Sequence, residues 1–271
     1  MPELPEVETT RRGIEPWLVG RQIDRLIVRE RRLRWRIPAS LAARLRGVRI
    51  RGVGRRAKYL LVATDAGTLI AHLGMSGSLR VMPAEAPPLA HDHYDLVLDS
   101  GRCLRFNDPR RFGCLLFTAG DPARHRLIRH LAPEPLEPGF DGAHLWRSAR
   151  GRRVSIKHFV MDSHVVVGVG NIYASEALYR AGIRSGLAAG RVSRARMAAL
   201  AAAIREVLSE AIGVGGTTLR DYVDPGGMPG YFSRKLFVYE REGKPCRRCR
   251  TPIRRFTQGA RSTYWCPRCQ R

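Results

Sequence analysis

Lysine is nearly missing from this chain of 271 residues: of its 48 basic residues only Lys58, Lys157, Lys235 and Lys244 are lysine, and the rest are arginine. Acidic residues are scarce too, 24 in all, so the formal charge is +24 and the isoelectric point lies near 11.2. That balance disfavours cationic partners and points to a polyanion, nucleic acid first among them. Long apolar runs are also lacking. No stretch approaches the roughly 18 residues of a membrane-spanning helix, and no isolated basic amphipathic tail suits a membrane surface. The opening Met-Pro-Glu-Leu-Pro-Glu has no basic leader, apolar core or small-residue cleavage site, so a cytosolic protein is expected.

What is present suffices for real cores: 44% of residues are hydrophobic. Residues 3–18 place Val7, Ile14, Trp17 and Leu18 at helical intervals, with Pro2 just before the first turn and glutamates within it. From about residue 23 to 118 the pattern changes to short β-branched or alternating runs, Ile23 to Val28, Tyr59 to Ala63, Thr68 to His72, Tyr94 to Leu98 and Cys114 to Thr118. These predict an antiparallel sandwich or barrel, so a first domain of a helix plus β-sandwich spans 1–131. The Pro- and Gly-rich stretch 132–142 reads as a linker. Beyond it a mainly helical domain, 143–238, is clearest at Met197, Leu200, Ile204, Val207, Leu208, Ala211 and Ile212, with Gly213, Gly215 and Gly216 as a stop. The class is therefore α+β.

The last segment, 239–271, has four cysteines, ten basic residues and too few apolar ones for a core of its own. Cys246, Cys249, Cys266 and Cys269 form C-x2-C-x16-C-x2-C, two knuckles able to close a tetrahedron around one structural Zn²⁺. With no histidine or open position, a catalytic metal is disfavoured. The flanking arginines keep the module basic, so its hairpin is expected to face DNA. Cys103 and Cys114, separate and near apolar strands, are expected as buried thiols.

Removal of Met1 would leave Pro2 as a secondary amine. At a generic α-amino pKa near 7.8, roughly 14% would be unprotonated at pH 7, against about 0.04% for an ordinary lysine. Such an amine can attack a sugar C1′ and form an iminium while a carboxyl group moves protons; Glu3 is adjacent and Glu6 one turn on. Taken alone, these residues read better as a helix start and carboxylates that favour its dipole.

The strings MPELPEVET, GRRAKYLL, HLGMSG, NDPRRFG, VVVGVGNIYASEAL, TTLRDYVDPGGMPGYF and ARSTYWCPRCQ, in this order, resemble the bacterial formamidopyrimidine-DNA glycosylases, 8-oxoguanine DNA glycosylase/AP lyases, nearly end to end. The resemblance implies an amino-terminal β-sandwich, a helix-two-turn-helix domain and a zinc finger. It also implies a monomer acting in base excision repair on duplex DNA that carries an oxidised purine or abasic site, in the bacterial cytoplasm at the nucleoid. By the same resemblance Pro2 is the nucleophile, with β- and δ-elimination following the Schiff base. Glu3 is the acid/base, Glu6 a supporting carboxylate, and Lys58 lies near the flipped nucleotide and its phosphate. Met75, Arg110 and Phe112 are implied to fill the space left by the extruded base, the apolar pair as wedges and the arginine on the orphaned base. Asn171 and Arg261 are implied to grip the backbone beside the lesion, helped by His72 and Lys157, and residues 217–230 to close over the lesion.

From the residues alone, Asn171 also reads as a helix N-cap. His91, Asp92 and His93 suggest a metal, but neighbours on a strand point to opposite faces, and a surface or phosphate-contact role is expected, with His91 on DNA. Two other readings stay open: an endonuclease VIII type glycosylase for oxidised pyrimidines, and a non-catalytic zinc DNA-binding protein.

Overall fold

The computed structural model describes residues 2–216 and 235–271. Two compact units emerge, the first containing residues 2–130 and 214–216, the second 131–213 and 235–271. The stretch expected as a linker is packed onto the second unit: Ala132 N–H donates to Ser163 O, Val167 N–H to Pro133 O, and Arg205 to the carbonyls of Glu137 and Phe140.

In the first unit, helix α1 (Leu4–Leu18) buries Leu4, Val7, Ile14 and Leu18. Trp17 faces out, with the Arg102 guanidinium 4.4 Å from its ring centre. Strands follow at Ile23–Val28 (β1), Ile50–Arg56 (β2), Tyr59–Thr64 (β3), Gly67–His72 (β4), Ser78–Pro83 (β5), Asp92–Leu98 (β6), Arg102–Asn107 (β7) and Cys114–Thr118 (β8), with a short helix α2 at Leu41–Leu45. They form two antiparallel sheets, β1-β6-β7-β5 and β2-β3-β4-β8. Leu79, Leu96, Leu104 and Phe106 of one sheet share a single core with Leu60, Val62, Leu69 and Leu115 of the other. This is a sandwich, with α1 packed on β2.

Three strands escaped the sequence pattern. In β7 only Leu104, Arg105 and Phe106 alternate, too short a run to stand out, and Arg105 on the outer face is fully buried. Its guanidinium grips the Asp95 carboxylate through Nε and Nη2, both at 2.8 Å, and donates to the carbonyls of Ala86 and Pro87. The segment before β6 thereby covers the outer face of that sheet, and all seven residues of β6 are buried. Burial raises Asp95, but Arg29 and Arg105 outweigh it and hold the carboxyl below its ordinary range. In β2 and β5, arginines and glycines hide the period.

The second unit carries α3 (Gly142–Ala149), α4 (Ile156–Met161), α5 (Asn171–Arg180) and α6 (Arg194–Gly213), then a hairpin of β9 (Arg254–Gln258) and β10 (Arg261–Trp265). Helix α6 buries Met197, Leu200, Ile204, Val207, Leu208 and Ala211, while Ile212 is only partly covered. Helix α5 buries every residue from Ile172 to Tyr179. Cys103 and Cys114 are both fully buried, and burial pushes the Cys114 thiol up to about 12.

Because Arg105 is enclosed with its carboxylate, removing one partner strands the other in a dry site. Arg105→Met is expected to cost about 3 kcal/mol, the low end for breaking a buried pair because Arg29 still reaches Asp95. Urea unfolding checks this; a loss below about 1 kcal/mol would make the pair merely decorative.

Candidate active site and nucleic-acid interface

The start of α1 is held by its own carboxylate. Glu6 Oε2 accepts the Glu3 backbone N–H at 2.8 Å, and Glu3 and Glu6 are both 2% exposed. Pro2 is buried and precedes the cap residue Glu3, while Pro5 occupies the first turn. Gly216, at φ +82, lies so close that a Cβ there would meet Glu6 Oε1 at 3.0 Å.

Arg55 ties this helix to the hairpin that bears Lys58. Its Nε donates to Glu8 Oε2 at 3.2 Å and its Nη1 to Ala57 O at 2.9 Å. The hairpin closes in two residues, Ala57 and Lys58, between the paired Arg56 and Tyr59, with Ala57 at φ 53. A left-handed alanine is a local strain held by its surroundings. Across the next ladder Tyr59 pairs with His72, their rings 5.0 Å apart. His72 Nδ1 accepts the Gly74 N–H at 2.8 Å, so the neutral ring keeps its proton on Nε2. Burial first, then the charges of Lys58 and Arg34, depress His72 to about 4.

Met75 and Phe112 stand out from this surface at 38% and 42% exposure, where a core role would have buried them. The Arg110 guanidinium lies 4.8 Å from the Phe112 ring centre. His91 is exposed at a left-handed φ of 69. The expectation of a surface role fails for its neighbours. His93 and Asp92 are buried, His93 Nε2 on Asp108 O at 2.7 Å and Asp92 accepting from Arg80, Leu89 and Asn107. The covered outer face of β6 is the reason.

In the second unit Asn171 is the first residue of α5, and Gly170, not Asn171, is the cap. Asn171 Nδ2 donates to Ser262 O at 3.1 Å and to Tyr239 Oη at 3.4 Å. Lys157, expected to help Asn171 and Arg261 grip the backbone, is 1% exposed. Its Nζ donates to Thr263 Oγ1 at 2.7 Å and Ser262 O at 3.2 Å. Gly259, at φ +55, abuts His158 so tightly that a Cβ would sit 2.4 Å from Nε2. Three side chains, Asn171, Lys157 and His158, therefore seat the β9–β10 hairpin on α4 and α5, and exposed Arg261 follows its two-residue turn. Sequence reasoning missed Arg55, Tyr239 and Glu176; the buried Glu176 carboxylate accepts the N–H groups of Phe237, Val238 and Tyr239. An acid amid buried helix positions was its only signal. Residues 217–230, expected to close over a lesion, lie outside the described residues.

The four Sγ atoms of Cys246, Cys249, Cys266 and Cys269 lie within 4.8 Å of one another. Cys246–Cys269 measures 3.8 Å and Cys249–Cys266 3.4 Å. A tetrahedron with Zn–S bonds of about 2.3 Å has S–S edges of about 3.8 Å, so the set fits zinc. Around it Tyr179, Val238, Ile253 and Tyr264 supply a small core.

A basic α+β chain with this thiolate set and exposed apolar side chains defines a zinc-containing DNA-binding protein; no described helix is long and apolar enough to cross a membrane. Residues 1–115 match the formamidopyrimidine-DNA glycosylase N-terminal domain, 131–223 the H2TH domain of the same enzymes, and 243–271 the zinc finger found in FPG and IleRS. Formamidopyrimidine-DNA glycosylases of Syntrophotalea carbinolica and Thioalkalivibrio sulfidiphilus are 59% and 60% identical over all 271 residues and the full length of each relative. The crystal structure of MutM (Fpg) from Thermus thermophilus is similar at 40% identity, TM-score 0.88, covering 99% of this chain and 98% of that one. A Lactococcus lactis Fpg variant in complex with Fapy-dG DNA is similar at 33% identity and TM-score 0.93, with both chains covered fully. The chain belongs to the formamidopyrimidine-DNA glycosylase family.

Two outcomes test this geometry. In the DNA-free protein, one histidine should titrate near 4 by NMR. Because folding lowers the His72 pKa, stability should fall as pH drops from about 6.5 toward 4, by roughly 3 kcal/mol in full, as the unfolded chain takes up the proton first. A His72 titration near 6.5 would contradict that environment. Replacing Cys249 with Ser should release zinc, measured by a chromogenic chelator, and weaken DNA binding; full metal retention would remove Cys249 from the ligand set.

Proposed function

We infer that the chain excises oxidised purines from duplex DNA in base excision repair, as a combined glycosylase and AP lyase, with the Pro2 amine as its nucleophile once Met1 is removed. The observation carrying the residue assignment is the fixed start of α1: Pro2 is adjacent to two buried carboxylates, one of them locked onto the helix's own first turn. The amine nitrogen would attack C1′ as the bond from C1′ to the base breaks. The proton that the amine gives up goes to the departing base, and Glu3 then donates a proton to the ring oxygen as the sugar opens and the nitrogen lone pair forms the iminium. β-Elimination releases the 3′ phosphate and δ-elimination the 5′ phosphate, leaving a one-nucleotide gap. Glu6 sets the position of Glu3.

Lys58, presented on its strained hairpin beside His72, supplies a compact ammonium to the phosphate of the reacting nucleotide. His72 adds a neutral Nε2–H that does not titrate near neutral pH. Met75 and Phe112 fill the vacated stack and Arg110 meets the orphaned base. His91, Asn171 and Arg261 contact the flanking backbone, while buried Lys157 sets the hairpin that carries Arg261. Zinc, held by the four cysteines, stabilises that hairpin's fold and takes no part in the chemistry. By its substrate the protein works at the bacterial nucleoid.

Borohydride trapping decides between readings. A covalent adduct is expected on duplex carrying 8-oxoguanine opposite cytosine; preference for an oxidised pyrimidine would favour an endonuclease VIII type activity, and no adduct a binding protein. Pro2→Gly should lose most strand cleavage while still binding duplex, and a chain keeping any residue before Pro2 should behave alike. Full cleavage by either would remove Pro2 as nucleophile.

A further inference from the structure

Asp108 is fully buried, lies outside the assigned chemistry, and joins every turn that bears a wedge residue. Its Oδ1 accepts the Ser76 hydroxyl at 2.8 Å, and Ser76 follows Met75 directly. The same oxygen accepts the Arg110 N–H at 3.3 Å, and Oδ2 accepts the Gly113 N–H at 2.8 Å, so one carboxylate spans the loop that displays Arg110 and Phe112. The backbone of Asp108 extends the junction: its carbonyl accepts His93 Nε2 and the Arg111 N–H, and its N–H donates to His91 O at 3.1 Å.

Packing makes the two turns a single body. A Cβ on Gly74, at φ +71, would lie 2.5 Å from Gly113 N and 2.6 Å from Phe112 C, and one on Gly113 would lie 2.5 Å from the Phe106 ring. The Met75 turn therefore rests backbone to backbone on the Phe112 loop. Arg111, left-handed at φ 56, is held outward by Glu30 at 3.2 Å.

We propose that Asp108 is the positioning residue of the wedge: through Ser76 Oγ and the N–H groups of Arg110 and Gly113 it locks Met75, Arg110 and Phe112 into one rigid unit that enters the duplex together. The idea rests on the wedge roles given above. An exposed Met or Phe on a loose turn would collapse onto nearby apolar surface and would have to be ordered anew each time a base is extruded. A charge-assisted set of hydrogen bonds removes that cost before DNA arrives. The carboxylate touches neither sugar nor base, so it serves base extrusion and not amine chemistry.

The test uses the zinc-loaded full chain with Asp108→Asn, Ser76→Ala and, as reference, Phe112→Ala. Two rates are compared: single-turnover excision of 8-oxoguanine paired with cytosine, and strand cleavage at an abasic site in a single-stranded oligonucleotide, where nothing needs extruding. Asp108→Asn and Ser76→Ala should each slow the duplex reaction about tenfold or more, the size of one lost hydrogen bond to a charged group, and leave the single-stranded reaction within about twofold. Ser76→Ala keeps the carboxylate and so reports even where Asp108→Asn folds poorly. Equal loss of both rates, or loss of neither while Phe112→Ala slows the duplex reaction, would overturn the positioning role. An unaffected Phe112→Ala would instead overturn the wedge reading on which it stands.

Discussion

The hydrogen bond from the Glu3 backbone to the Glu6 carboxylate is the constraint on which the first unit's function turns. A chain terminus ordinarily frays, because few contacts repay the entropy of ordering it. Here the helix begins so early that the terminus becomes part of its cap. The same carboxylate satisfies a backbone donor that a helix start leaves orphaned. Gly216 then packs against Glu6 where no side chain would fit without displacement. Arg55 carries this order onward by joining Glu8 of the helix to the Lys58 hairpin.

Much of the architecture was legible because it follows from simple periods. Leu26, Leu96 and Leu115 lie in strands whose apolar runs announce themselves, and the four cysteines are spaced for a tetrahedron whatever surrounds them. What stayed hidden depends on partners remote in sequence. Arg105 in β7 looks like a solvent residue until Asp95 and two carbonyls enclose it, and Asp92 and His93 looked superficial until the segment before β6 covered them. Lys157 reads as a surface cation in sequence; the β9–β10 hairpin folded across it is what buries it. Asn171 was one position from the cap, because Gly170 takes the extended conformation that a cap requires.

A common pattern runs through these surprises: buried ionisable side chains in both units join surface loops to the framework. Arg105 fastens the segment before β6, Asp108 the two turns at the ends of β4 and β7, and Glu176 the run from Phe237 to Tyr239. Asp108 and Glu176 meet backbone groups more than side chains, and Arg105 divides its hydrogen bonds between two carbonyls and Asp95, which suits segments that must hold a shape without burying apolar surface. A loop secured in this way can present its side chains to a ligand with little left to order.

The scarcity of lysine has an analytical side. With Lys157 enclosed beneath the β9–β10 hairpin, the lysine amines of the described surface shrink to Lys58, Lys235 and Lys244. A lysine-directed protease acting on the denatured chain would release the terminal amine on a single fragment ending at Lys58. Peptide mapping can therefore separate attachment at the terminus or the hairpin from attachment at the zinc module, a resolution that a lysine-rich DNA-binding surface would not permit.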